Sequence, residues 1–215
     1  MMVLHGYWRS SASYRVRIAL ALKKLEVRHK AVNLKVGEQL SGAHRLLNPQ
    51  PLVPVLELKD GTMLTQSLVI LDYLEQTFPD PALLPEEGIA QAKVKAAAHI
   101  IASDISPIQN LRVLQFIREH YGCESDDIKL WAKHWIHNGL KSIEYICQTN
   151  KNDFFLSDTP GYFECCLVPQ LYNARRFGVD LSTFPLLTKL NEKCCGLTEF
   201  IQAAPENQAD SDIRD

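Results

Sequence analysis

Val3-Leu4-His5-Gly6-Tyr7-Trp8-Arg9-Ser10-Ser11-Ala12-Ser13-Tyr14-Arg15-Val16-Arg17-Ile18-Ala19-Leu20 passes from a short apolar run into a helical period, with three serine hydroxyls packed into the junction. Val3 to Trp8 reads as a strand, and Ser13 to Lys24 as an amphipathic helix with Val16, Ile18, Ala19, Leu20 and Leu22 on its apolar side. The first N–H groups of a helix have no partner inside it, and the aligned peptide dipoles place a partial positive charge there, so the junction suits an anion such as a thiolate. A lone serine at such a place is also an ordinary helix cap.

Outward from this junction the chain alternates element types. Val27 to Leu34 reads as a second strand and Gln39 to Leu47 as a short helix. Strand, helix, strand argues for a parallel pair with a right-handed crossover. Val53 to Leu58 alternates in strand fashion, Lys59-Asp60-Gly61 is a turn, and Thr62 to Thr65 returns as a hairpin partner. Ser67 then opens a helix through Phe78, with Leu68, Ile70, Leu71 and Leu74 at helical spacing. Pro79, Pro81 and Pro85 interrupt it, so 79 to 88 reads as a linker.

Beyond the linker the pattern is helical throughout. Ile89 to His120 reads as one long helix bent or broken near Pro107, followed by Asp126 to Gln148, Glu164 to Phe177 and Pro185 to Ala203. Ala204 to Asp215 is polar and acidic and reads as a fraying end. The expected organisation is two domains, 1–82 and 88–215.

Composition narrows the function classes. A chain of 215 residues, 46% hydrophobic, can bury a substantial core. The 23 basic and 25 acidic residues are interspersed, for a net charge of −2, which gives no electrostatic case for nucleic acid or an anionic membrane. No apolar run approaches the roughly 18 residues of a membrane span, and the N-terminus is too short and polar for a signal segment, so a cytoplasmic location is expected. The six cysteines, Cys123, Cys147, Cys165, Cys166, Cys194 and Cys195, include no CxxC, and neither they nor His134 and His137 complete a zinc-like set, so no metal is expected.

The order strand, helix, strand, helix, hairpin, helix is that of a thioredoxin-like domain. An all-α domain behind a proline-rich linker resembles the cytosolic glutathione transferases. Ser10-Ser11-x-Ser13-x-Arg15-Val16-Arg17-Ile18-Ala19-Leu20, with Leu167-Val168-Pro169-Gln170 and Asn173-Ala174-Arg175-Arg176-Phe177-Gly178-Val179-Asp180-Leu181, resembles the zeta class over essentially the whole chain. The implied fold is an α/β thioredoxin-like N-terminal domain with an all-α helical-bundle C-terminal domain, in a homodimer with glutathione as cofactor.

The resemblance also assigns roles. Val53-Pro54 matches the position of a cis-proline before which the backbone pairs with extended glutathione; without the resemblance, a trans proline at a strand start is the ordinary reading. Gln66 and Ser67 would hold the γ-glutamyl carboxylate, Ser67 also capping its helix, and Gln39 would reach the glycyl end. Ser10 or Ser11, beside Ala12, would donate a hydrogen bond to the sulfur. Arg9 and Arg176 would meet the negative charge of a maleyl substrate, and Asn110 would contribute a contact from the second domain. The implied activity is glutathione-dependent cis–trans isomerisation of maleylacetoacetate in aromatic amino-acid breakdown. Maleylpyruvate isomerisation, transfer to small α-halo acids, and a non-catalytic binding module on the same fold are the alternatives.

Two positions depart from the zeta pattern. Ala12 stands where the class usually has cysteine, so no essential thiol can be supplied there. Gly161 stands where a capping Ser or Thr is usual, with Glu164 three places later in place of Asp, which leaves half of a capping box.

Overall fold

A computed structural model describes residues 1–212. The chain divides into two compact units, Met1–Leu83 joined by the segment from Gly196 onward, and Leu84–Cys195. The boundary near residue 83 therefore comes with a return of the C-terminal segment to the first unit, where residues 88–215 had been expected to form one domain. The return begins where Gly196 and Leu197 break the helix expected over Pro185 to Ala203 into α8 (Pro185–Cys195) and α9 (Thr198–Ala203), glycine being a poor helix former. Helix α9 packs on α1 (Ser11–Leu22).

In the first unit a sheet of order β2-β1-β3-β4 is built from β1 (Met2–Gly6), β2 (Val27–Ala31), β3 (Val55–Glu57) and β4 (Met63–Thr65). β1 and β2 are parallel, with Met2 opposite Val27 and Gly6 opposite Ala31, while β3 runs antiparallel to both β1 and β4. Leu4, Val55 and Leu56 of the sheet, Val16, Ile18 and Ala19 of α1, and Ile70, Leu71 and Leu74 of α3 (Ser67–Thr77) are all essentially without exposure, and α1 packs on α3. The helix expected over Gln39 to Leu47 is a single 3-10 turn at Glu38–Leu40 followed by α2 (Gly42–Leu47), because Ser41 leaves the helical conformation to cap α2, its hydroxyl accepting the His44 N–H. Buried Lys23 ties α1 to α3: Nζ lies 2.7 Å from Glu75 Oε2 and donates to the carbonyls of Phe78 (2.6 Å) and Pro81 (2.8 Å), so each ammonium proton has an acceptor.

In the second unit the helix expected over Ile89 to His120 is broken. α4 (Gly88–His99) runs into a wider π turn at Ile100–Ile105, and α5 (Leu111–Tyr121) starts afresh with the Asn110 side chain accepting the Arg112 N–H. Pro107, which has no N–H to give the preceding turn, lies in the break. α6 (Ser125–Cys147) approaches that turn so closely that a Cβ at Gly139 would overlap the Ile105 side chain. No helix among the described residues is long and apolar enough to cross a membrane.

Buried Glu164 governs the start of α7 (Tyr162–Arg176). Its two carboxyl oxygens accept the Gly161 N–H and the Phe155 N–H, both at 2.9 Å. Gly161 has no side chain to return a cap, so only the Glu164 half of the capping box exists, and the carboxylate instead joins the helix start to the loop at Phe155. Burial pushes the carboxyl above its usual range, opposed by these two donors.

The polar end does not fray where it is described. Pro205–Asn207 forms a 3-10 turn, the Asp210 carboxylate accepts the Trp8 N–H at 3.0 Å, and Asp212 pairs with Lys35. Fraying of the last three positions, 213–215, falls outside the described residues.

Candidate functional site

The sheet registers gather the N-terminal candidates at one end of the first unit. β1 ends at Gly6, β3 begins at Val55 opposite His5, and β4 ends at Thr65 opposite Val55. The loops carrying Arg9 to Ala12, Val53-Pro54 and Gln66-Ser67 therefore leave the sheet together. The N-termini of α1 and α3 both start from that end, as adjacent positive helix poles. The parallel β2 points the same way, so the stretch bearing Gln39 also begins there.

At the first pole Ser10 is the N-cap of α1. Its Oγ accepts the Ser13 N–H at 3.2 Å and its carbonyl the Tyr14 N–H at 2.9 Å. The Ser10 hydroxyl proton is left to donate outward, and Ser11, the first helical residue, is half-exposed beside it. Ser10 can thus cap the helix and donate to an anion at once. Half-exposed Arg9 lays its guanidinium carbon 5.4 Å from the Trp8 ring centroid.

At the second pole the structure corrects the expected cap. Gln66, not Ser67, is the N-cap of α3, and no side chain caps that helix. Gln66 adopts φ 66°, ψ 113°, a region that non-glycine residues occupy at a cost of about 1–3 kcal/mol. Its side-chain amide donates to Gln50 Oε1 at 2.8 Å. Ser67 is the first helical residue, and its hydroxyl accepts from Arg15 Nη1 at 3.2 Å, which leaves the hydroxyl proton to donate. Arg15 is 3% exposed, so a cation lies directly behind this hydroxyl. Arg15 was not singled out from the sequence. The signal was present as two arginines, Arg15 and Arg17, on an otherwise apolar helix, where burial of a charge demands a reason.

Between the poles, Val53-Pro54 is a cis peptide bond, as the family resemblance led us to expect. No hydrogen bond among the described residues reaches the N–H or C=O of Val53, whereas the preceding carbonyl, of Leu52, accepts from the side chains of His44 and Asn48. Gln39 Oε1 is likewise buried without a partner. An extended peptide with a terminal carboxylate fits this set of groups: two backbone partners at Val53, and an uncapped helix start with a polarised hydroxyl at Ser67.

Asn110 and Arg176 lie in the second unit, where Arg176 heads a chain of amides that passes through Gln109, the residue before Asn110. Arg176 Nη1 donates to Asn173 Oδ1 at 2.8 Å, Asn173 Nδ2 to Gln109 Oε1, and Gln109 Nε2 to Gln170 Oε1 at 3.1 Å. Because a guanidinium only donates, it fixes which way each successive amide points. Gln109, Gln170 and Asn173 are buried, and none was weighed as a site residue; Gln109 directly precedes Asn110. The Asn110 side-chain oxygen Oδ1 is occupied as the α5 cap, accepting the Arg112 N–H at 3.3 Å.

The buried thiols offer no nucleophile in place of Ala12. Burial pushes Cys147 up to about 12, and raises Cys165 and Cys194 as well.

Residues 4–82 match the glutathione S-transferase N-terminal domain. Across 98% of both chains, the protein is 43% identical to a probable maleylacetoacetate isomerase of Vibrio cholerae. A bacterial zeta-class maleylpyruvate isomerase, solved in its holo form, superposes with a TM-score of 0.94 at 39% identity, covering 97% of this chain and 99% of that one. A maleylacetoacetate isomerase from Anaeromyxobacter dehalogenans with dicarboxyethyl glutathione and citrate in its active site superposes with a TM-score of 0.89 at 41% identity, covering 99% and 94%.

Proposed function

Given that the chain belongs to the zeta class of the glutathione S-transferase family, we propose that it is a glutathione-dependent isomerase converting maleylacetoacetate to fumarylacetoacetate, working as a cytoplasmic homodimer. The observation that carries this reading is the pairing of two helix N-termini at one end of the sheet, one with hydroxyls free to donate and one uncapped, on either side of the unpaired Val53 backbone.

When bound, glutathione supplies the thiolate that adds to the maleyl double bond and departs again after rotation about the resulting single bond. The protein's own residues hold, orient and neutralise. Ser67, with Arg15 behind it, donates to the γ-glutamyl carboxylate, and the Val53 N–H and C=O fix the peptide in extended form. Gln39 takes the glycyl end. Ser10 or Ser11 donates to the sulfur, and together with the α1 terminus favours thiolate over thiol; each pH unit of lowering corresponds to about 1.4 kcal/mol. Arg9 and Arg176 carry the cationic charge that a substrate with carboxylates requires, since negative charge also develops on its carbonyl oxygen during addition. Within the second unit Arg176 is held by the Asn173–Gln109–Gln170 chain, and Asn110 adds a polar contact.

Binding tests the cofactor assignment directly. Titration calorimetry should show glutathione binding, and Gln66→Gly should weaken it while leaving the melting temperature unchanged or raised, because glycine relieves the positive φ. A clear fall in melting temperature with unchanged affinity would remove Gln66 from the site.

Ala12 is not expected to limit the reaction. Ala12→Cys should change turnover by less than about tenfold, equivalent to about 1.4 kcal/mol of barrier. A gain of several hundredfold would show that a thiol at this position matters to the chemistry.

A further inference from the structure

We propose that Asp210 is a positioning residue for the serine site: its carboxylate, on the C-terminal segment, and the Arg17 guanidinium, on α1, grip the Trp8 backbone at its N–H and its C=O respectively and so set where Arg9, Ser10 and Ser11 stand. This rests on the reading of those serines given above.

Trp8 is 3% exposed, so its backbone N–H needs an acceptor within the protein. That acceptor is Asp210 Oδ2 at 3.0 Å, a charged partner and therefore a strong one. The Trp8 carbonyl accepts from Arg17 Nη2 at 2.9 Å, and the Tyr7 carbonyl from Arg17 Nη1 at 3.5 Å. The same guanidinium donates through Nε to the Ala203 carbonyl at 2.9 Å. One rigid planar group thus fastens α1, the end of α9 and the loop before the serines.

The grip reaches the site in a single step. The Ser10 N–H donates to the Tyr7 carbonyl at 3.0 Å, closing a turn with Trp8 and Arg9 inside it, so displacement of the Trp8 peptide displaces Ser10. Displacements of about 1 Å at a reacting group can lower rates about a hundredfold.

The segment that delivers Asp210 is itself braced. Gln208 Nε2 donates to the carbonyls of Gln202 and Ala204, both at 2.9 Å, and Asn207 Nδ2 to that of Ile201 at 2.7 Å. The Ser211 N–H closes a turn onto the Gln208 carbonyl at 3.1 Å, with Asp210 inside it. Two residues on, Asp212 pairs with Lys35, and its carboxyl is held below the usual range by Lys35 foremost and by Arg9.

Asp210→Ala and Asp210→Asn in the full chain test the proposal. Asp210→Ala should speed amide hydrogen exchange at Trp8 and Ser10 in the ligand-free protein by about tenfold or more. It should move the titration of the bound glutathione thiol, followed by thiolate absorbance, up by about one pH unit, and lower kcat about tenfold near neutral pH, with KM for the maleyl substrate changed less than about twofold. Asp210→Asn keeps an oxygen that can accept the Trp8 N–H and should restore exchange, titration and kcat to within about threefold of the parent. A merely structural role would lower the melting temperature and leave exchange, titration and kcat where they were, which would overturn the proposal. Equal damage from both variants would overturn it too. The reading of the serines is judged separately, by Ser10→Ala and Ser11→Ala. If those leave the thiol titration unmoved the reading fails, and the exchange rates in the ligand-free protein still decide the grip.

Discussion

Replacing Ser10 and Ser11 together by alanine is expected to lower glutathione-dependent turnover near neutral pH by about 10- to 100-fold, the value of one hydrogen bond to a charged group at roughly 1.5–3 kcal/mol. The loss should come through the thiol. With no hydroxyl at the start of α1, the sulfur keeps only the helix terminus, so its titration moves up and less thiolate is present at pH 7. The single variants separate two roles that the geometry gives to Ser10. Ser10→Ala removes the oxygen that accepts the Ser13 N–H and should destabilise the first unit by about 1 kcal/mol whether or not it donates to sulfur. Ser11→Ala leaves that cap intact. A kcat loss in Ser11→Ala at unchanged melting temperature would assign the donor to Ser11, and a loss confined to Ser10→Ala would assign it to Ser10. Turnover in the double variant within twofold of the parent would remove both from the chemistry.

Glu164→Ala is expected to be the most damaging change to stability, at roughly 2–6 kcal/mol, since it orphans two buried N–H donors at about 1–3 kcal/mol each. That is a large part of the stability of an ordinary domain. Glu164→Gln should lie between, because one of the two N–H groups then faces an amide that only donates. Gly161→Ser supplies the missing half of the box and should raise the melting temperature slightly; replacements between serine and glycine at caps amount to a few tenths of a kcal/mol. The pH dependence has a definite sign. Burial holds the folded-state carboxyl above its unfolded value of 4.5, so the folded state binds the proton more tightly. The stability this gives is fully present below about pH 4.5 and is lost as pH rises through the folded-state value. Glu164→Gln should remove that downward trend. Thermal melts of the variants across pH 4 to 8 check both points, and an unchanged melting temperature in Glu164→Ala would contradict the role assigned to the carboxylate.

Much of the site was legible because its signals are local. A strand ending in clustered serines before a helical period locates a helix N-terminus wherever it occurs, and the hairpin turn at Lys59-Asp60-Gly61 aligns Val53-Pro54 with Gln66-Ser67 through a register that the alternating pattern fixes. The sequence points to Ser67 as the cap because serine is the commoner capping residue; the positive φ of Gln66, at the cap one position earlier, has no sequence signature. The fraying expected of the polar C-terminus failed for a related reason. Its order comes from contacts such as Asp210 with Trp8, 202 residues away, that composition does not record. The amide chain behind Arg176 is hidden in the same way, as polar residues whose purpose becomes visible only when their partners are in place.

The central claim is tested most directly by following the absorbance of maleylacetoacetate and of maleylpyruvate with the purified protein, with and without glutathione. Isomerisation of maleylacetoacetate that depends strictly on glutathione, and is faster than that of maleylpyruvate, is the predicted result. Turnover that persists without glutathione, or no turnover of either compound by protein that binds glutathione, would contradict it.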